Sequence, residues 1–160
     1  MKILKRFTVL TLLVFATGQI YSQNKDTEVE KEAILNVMKS YKNAFEKLTT
    51  EGTFELFAED SQVFESGGVE GSYANYIEHH IGPELGHFDK FEFSDYEIDV
   101  QVDEPYAFTT ETYIYTIVIK PDEKGESKTV RKKGVATSIL KKIDGNWKII
   151  KTHSSSRNAK

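Results

Sequence analysis

The chain has 160 residues, of which 39% are hydrophobic and 29% charged, with three prolines and no cysteine. That composition is globular and the length suits one domain; the missing cysteines exclude a disulfide framework, an iron–sulfur cluster, a thiolate zinc site and a cysteine nucleophile. The formal charge is −4, and an acidic surface repels phosphate backbones, so nucleic acid is not an expected partner.

In chain order, the first 22 residues read as a signal peptide. Lys2, Lys5 and Arg6 make a basic start, and Phe7 to Gly18 is an uncharged apolar run of 12 residues. A spanning helix needs roughly 20. Ser22 supplies the small residue before Gln23 that a signal peptidase requires, so the mature domain is expected to run from 23 to 160. A retained membrane anchor is the alternative, and with no cysteine at the junction the lipoprotein route is closed. Cleavage leaves 18 basic residues against 25 acidic ones, a net charge of −7. The expected location is the periplasm or the exterior, with no membrane insertion after signal removal.

Apolar residues at three- and four-residue steps predict a helix over 27–48, from Val29 through Ile34, Met38, Tyr41 and Phe45 to Leu48. A short helix over 53–57, a brief strand over 61–65 and a turn at 66–68 follow. A third helix is predicted over 72–81, capped by Ser72 and ended by Gly82-Pro83. From Phe88 the pattern turns to long strands over 91–102, 106–120, 128–143 and 147–155, with Asp144-Gly145 a strong hairpin signal. Helices followed by adjacent strands predict an α+β layer on an antiparallel sheet. The strand 106–119 is apolar on both faces, which places it centrally or against a second copy, and a homodimer through the sheet is expected. Lys128, Arg131, Lys132, Lys133, Lys141 and Lys142 are read as alternating solvent-facing positions.

The order helix–helix–strand–helix and four long strands resembles the nuclear transport factor 2-like superfamily, in its SnoaL-like branch. The matching residues are Phe57-Ala58-Glu59-Asp60, Glu70-Gly71 and Lys142-Ile143-Asp144-Gly145-Asn146-Trp147-Lys148-Ile149, followed by His153 and Ser155. The resemblance covers about residues 27 to 155. It implies a cone-shaped fold, with N-terminal helices on a strongly bent antiparallel sheet around a cavity, and pairing through the sheet. Its members include isomerases, dehydratases, cyclases, hydrolases and binders, so it describes a container more than its contents.

The candidate site centres on histidine. Strand alternation places His153 on the Trp147 face and toward the cavity, and His80 shares a helix face with Tyr73 and Tyr76. His80 and His153 could exchange protons near neutral pH, or anchor the last strand to the helix as a hydrogen-bonded pair. A metal reading takes His80, either Glu84 or His87, and His153 as ligands for a divalent ion such as zinc, with an open fourth position. Against it, Pro83 should break the helix between His80 and Glu84; no cofactor is expected. Glu111 becomes a general base if it lies on the cavity side with Tyr113 and Tyr115. Outward placement is preferred, because the Asp–His arrangement typical of the resembling family is absent. Tyr73, Tyr76, Tyr113, Trp147 and Ser155 complete the expected ligand contacts. The leading expectation is a domain that binds a small, partly apolar molecule; a hydrolase or isomerase using a histidine site is the alternative.

Overall fold

The computed structural model describes residues 27–159. The expected leader and its cleavage point lie outside these residues. Residues 27–46 form α1. Ile34 and Met38 are buried and Tyr41 and Phe45 partly so, one stripe along the helix. Val29, expected on that stripe, is exposed. The helix ends before Leu48, which takes a left-handed φ of 53°, a conformation that stops helix propagation. At its start, Glu30 accepts a hydrogen bond from Trp147 Nε1 at 2.7 Å and pairs with Lys142 at 2.8 Å. This fastens α1 to the last hairpin.

The predicted short helix is a single 3₁₀ turn, Phe54–Leu56. β1, Phe57–Glu65, starts four residues earlier than the alternation indicated, and β2, Gly68–Gly71, was not expected as a strand. Ser66 and Gly67 between them both have positive φ, the backbone that two-residue hairpins favour. Next comes a continuous helical segment, α2, made of Tyr73–Tyr76, Ile77–Ile81 and Gly82–Leu85. Ser72 caps it by accepting from Asn75 N.

The middle piece of α2 is a π-helix. The prediction that Gly82-Pro83 ends the helix is therefore overturned. A π-turn widens the coil by one residue, which accommodates a proline lacking an N–H and crowding the preceding turn. Gly82 N–H donates to Ile77 O, and a Cβ at Gly82 would stand 2.2 Å from that oxygen. Only glycine fits so close an approach.

β3, Phe88–Asp103, β4, Tyr106–Ile119, β5, Lys128–Ile143, and β6, Asn146–Asn158, form an antiparallel meander. The sheet has six strands in the order β2-β1-β6-β5-β4-β3. β1 runs parallel to β6, so the sheet is mixed rather than wholly antiparallel. The elements between β1 and β6 supply the long crossover that parallel pairing needs. The sheet's inner face packs on the helices through Ala107, Leu140, Trp147 and Ile149, all buried.

Of the irregularities in this sheet, two bear on the site. One lies between Ser94 and Glu97 of β3, where Asp95 has φ 49°. The other lies in β6, where Leu140 pairs with Ile149 but Ile139 pairs with Lys151, leaving Ile150 as the extra residue. An inserted residue kinks a strand and reverses which side chains face inward beyond it. Trp147 and Ile149 are buried before the bulge, but Thr152 is buried after it while Lys151 and His153 are exposed.

Candidate functional site

A cavity of ~420 Å³ lies between α1, α2 and the inner face of the sheet. Its walls are aromatic: Tyr41 and Phe45 from α1, Phe91 and Phe93 from β3, Tyr113 and Tyr115 from β4. The rings support one another, Phe91 stacking on Phe93 at 5.0 Å between centroids and Phe93 meeting Tyr113 edge-on at 5.1 Å. Gly134, the cross-strand partner of Tyr113, leaves room for its ring, since a Cβ there would lie 2.2 Å from Tyr113 Cε2. Glu65, Tyr76, His80, Glu84, Lys132 and Ser156 are among its polar lining.

His80 sits in the π-turn. Its Nδ1 is 2.9 Å from Glu70 Oε2 and its Nε2 is 3.5 Å from Glu84 Oε1. The uninterrupted helix brings Glu84 to its side, contrary to the expected break at Pro83. The hydrogen bond to Glu70 foremost raises the imidazole pKa, with Glu65 and Glu84 adding to the effect against partial burial. Beside it Tyr76 OH donates to Glu65 Oε2 at 2.7 Å. Burial holds that phenol well above its usual pKa, so Tyr76 stays a neutral donor.

The other sequence candidates divide. Tyr113 lines the cavity, and His87 and Ser155 lie at its edge, both exposed. His153 is exposed on the opposite face, because the bulge at Ile150 inverts the alternation on which its inward placement rested. It therefore does not meet His80. Among the described residues, no group of three or more His, Asp or Glu side chains is arranged to hold a metal; of the candidate ligands, the side chains of His80 and Glu84 pair at 3.5 Å.

Tyr73 and Trp147 belong to the packed core. The Tyr73 ring stacks on Phe57 at 3.6 Å, and the Trp147 indole is committed to Glu30. Neither lines the cavity.

Glu111 corrects the preference for outward placement. It is buried on the inner face, 6% exposed, and accepts from Tyr96 OH at 2.5 Å. Burial raises its carboxyl pKa, partly offset by the Tyr96 hydrogen bond. It does not itself line the cavity; Tyr113, two residues further along β4, does. Glu70, Tyr41 and Lys132 are not among the site residues expected from the sequence. Glu70 lies on a strand too short to show alternation, and Lys132 sits in a basic run that reads as solvated.

The SnoaL-like domain profile matches residues 34–158. No curated protein matches the sequence. Among solved structures, a nuclear transport factor 2-like superfamily protein from Salmonella enterica is 21% identical with a TM-score of 0.68, covering 84% of this chain and 94% of that one. A candidate dehydratase of the same superfamily from Streptomyces avermitilis is 18% identical at TM-score 0.68, covering 82% and 99%. A ketosteroid isomerase-like protein from Erwinia carotovora atroseptica is 17% identical at 0.66, covering 80% and 96%. At these identities the structures show a shared fold. The profile match over most of the chain, together with helices packed on a bulged six-stranded sheet around a cavity, shows that the chain belongs to the SnoaL-like domain family.

Proposed function

We propose that this protein is an exported domain that binds a small, largely apolar molecule in its aromatic cavity. The observation that carries the reading is the cavity itself: ~420 Å³, walled largely by aromatic rings, with a few polar groups at fixed positions. That combination is what a small-molecule site requires. Titration with naphthalenemethanol, a neutral aromatic probe, tests it by calorimetry. Saturable binding that Ser154→Phe abolishes supports the reading, because Ser154 borders the cavity. Absence of binding, or binding unchanged in the variant, overturns it.

Export rests on the basic, apolar and small-residue segments of residues 1–22. Among the described residues no helix is long and apolar enough to cross a membrane. The mass of the protein recovered from outside the cytoplasm should correspond to a chain starting at Gln23; a retained leader would refute the cleavage. Pairing through the sheet rests on the exposed Tyr106, Phe108 and Val135 of its outer face. Light scattering at tens of micromolar should give twice the chain mass, and a monomer mass would refute it.

A catalytic reading has one specific observation in its favour. His80 reaches the cavity with Nδ1 held by Glu70 and a raised pKa, the arrangement of an acid that can give a proton to a ligand oxygen. A β,γ-unsaturated ketosteroid is a suitable probe, given the ketosteroid isomerase-like neighbour. Turnover lost in His80→Gln, with naphthalenemethanol binding retained, would support catalysis. No turnover by the unaltered protein would leave binding as the better account.

A further inference from the structure

From Val130 to Leu140 the inward positions of β5 are apolar, small or hydroxylated with one exception. Val130, Lys132, Gly134, Ala136, Ser138 and Leu140 share the inner face, and Lys132 carries the only charge among them. It is half-buried, and it lines the cavity. No carboxylate lies within ion-pair distance of it among the described residues, although Lys31, Lys42, Lys90 and Lys142 all have one. Lysine leaves water reluctantly unless it is paired. A half-buried lysine on the cavity wall with no carboxylate beside it therefore points to a partner absent from the chain itself.

Its neighbours supply donors of the right kind. Tyr115 is the direct cross-strand partner of Lys132 on the same face. The Tyr115 hydroxyl is 2.9 Å from Ser156 Oγ, and both residues line the cavity. One hydroxyl of that pair donates to the other, which leaves one proton free for a ligand acceptor. An ammonium and a free hydroxyl proton beside aromatic walls match a carboxylate joined to an apolar body. The carboxylate accepts charge-assisted hydrogen bonds from both, which are stronger than neutral ones.

We propose that the cavity selects ligands with an aromatic or similarly apolar body and a carboxylate head, the head held by Lys132 with the Tyr115–Ser156 hydroxyl pair. This rests on the ligand-binding reading above and names the class of ligand. Three probes of one shape separate the two claims: naphthoate, naphthalenemethanol and naphthylmethylammonium, each titrated by calorimetry into the purified protein. Naphthoate should bind at least about tenfold more tightly than the neutral alcohol, as expected for hydrogen bonds to a charged group. Lys132→Met should remove that preference, and Lys132→Arg should restore most of it.

Equal affinity for naphthoate and the alcohol in the unaltered protein would overturn the proposal, as would a preference that survives Lys132→Met. The second result would mean that the ammonium bends out to solvent. A preference for the ammonium probe would also overturn it, and would point to Glu65 as the anchor instead. Failure of all three probes to bind would count against the cavity reading itself, so the two failures are distinguishable.

Discussion

The two halves of the interior are built differently. Under α1, Leu140, Ile149 and Ala107 are completely buried against Ile34 and Met38. Around the cavity three elements carry an irregularity: the bulge at Ser94–Glu97 in β3, the extra Ile150 in β6 and the π-turn in α2. Regular elements close-pack and leave no room for a ligand. The departures from regularity hold the walls apart, and the cost of that space is met by the dense half.

Replacing residues in both halves tests this contrast. Leu140→Ala, in the packed half, should destabilise by about 2–5 kcal/mol, because the surroundings collapse only in part. Ile117→Ala, on the cavity wall, should cost under about 2 kcal/mol, since that side chain already lacks neighbours on one side. Urea titrations of both variants decide the matter; equal losses would erase the distinction. Gly82→Ala should come next, at about 1–3 kcal/mol, from forcing a methyl group against the Ile77 carbonyl. Its melting temperature should fall, and an unchanged value would mean that the π-turn is not a fixed element.

His80 gives a smaller, pH-dependent effect, a few tenths to about 1 kcal/mol for a partly exposed pair. Its folded pKa is raised, so the protonated imidazole stabilises the native state. That stabilisation is complete below about pH 6.5, the ordinary histidine value, and fades as the pH rises through the higher native value. Urea midpoints of the unaltered protein and His80→Gln should differ most at acid pH and converge in alkali. A gap that widens with pH would contradict the pairing with Glu70. The smallest effect concerns Thr109, whose buried hydroxyl has no hydrogen-bond partner among the described residues. Thr109→Val keeps the shape and removes an unsatisfied group, so stability should be unchanged or rise by up to about 1 kcal/mol. A clear loss would show that the hydroxyl has a partner in solution.

The same division governs what the amino-acid sequence discloses. α1, the Asp144-Gly145 hairpin and the long strands follow from periodicity and turn residues, because packing there obeys local pattern. The site is less accessible because its geometry depends on register. One extra residue at Ile150 sends His153 outward and Thr152 inward, and nothing in the run Lys148-Ile149-Ile150-Lys151 marks the insertion. The π-turn likewise carries the helix past Pro83 and places Glu84 beside His80, where proline chemistry alone indicates a stop. Glu111 turned inward because the alternation of β4 is unbroken from Ala107 to Ile119. The alternation grouped it with Tyr113 and Tyr115, but the side of the sheet was fixed only by contacts with distant elements.

The pairing of β1 with β6 also orders the events by which the chain reaches its native state. β1 is made early in synthesis, yet among the strands its neighbour other than β2 is the last to be made. Contacts between segments so far apart close slowly, because much loop entropy is lost before they form. Until β6 is available, β5 and β1 both present unpaired edges, the surfaces through which partly folded chains associate with one another. A chain interrupted before Asn146 should therefore be recovered as aggregate rather than as a smaller folded unit.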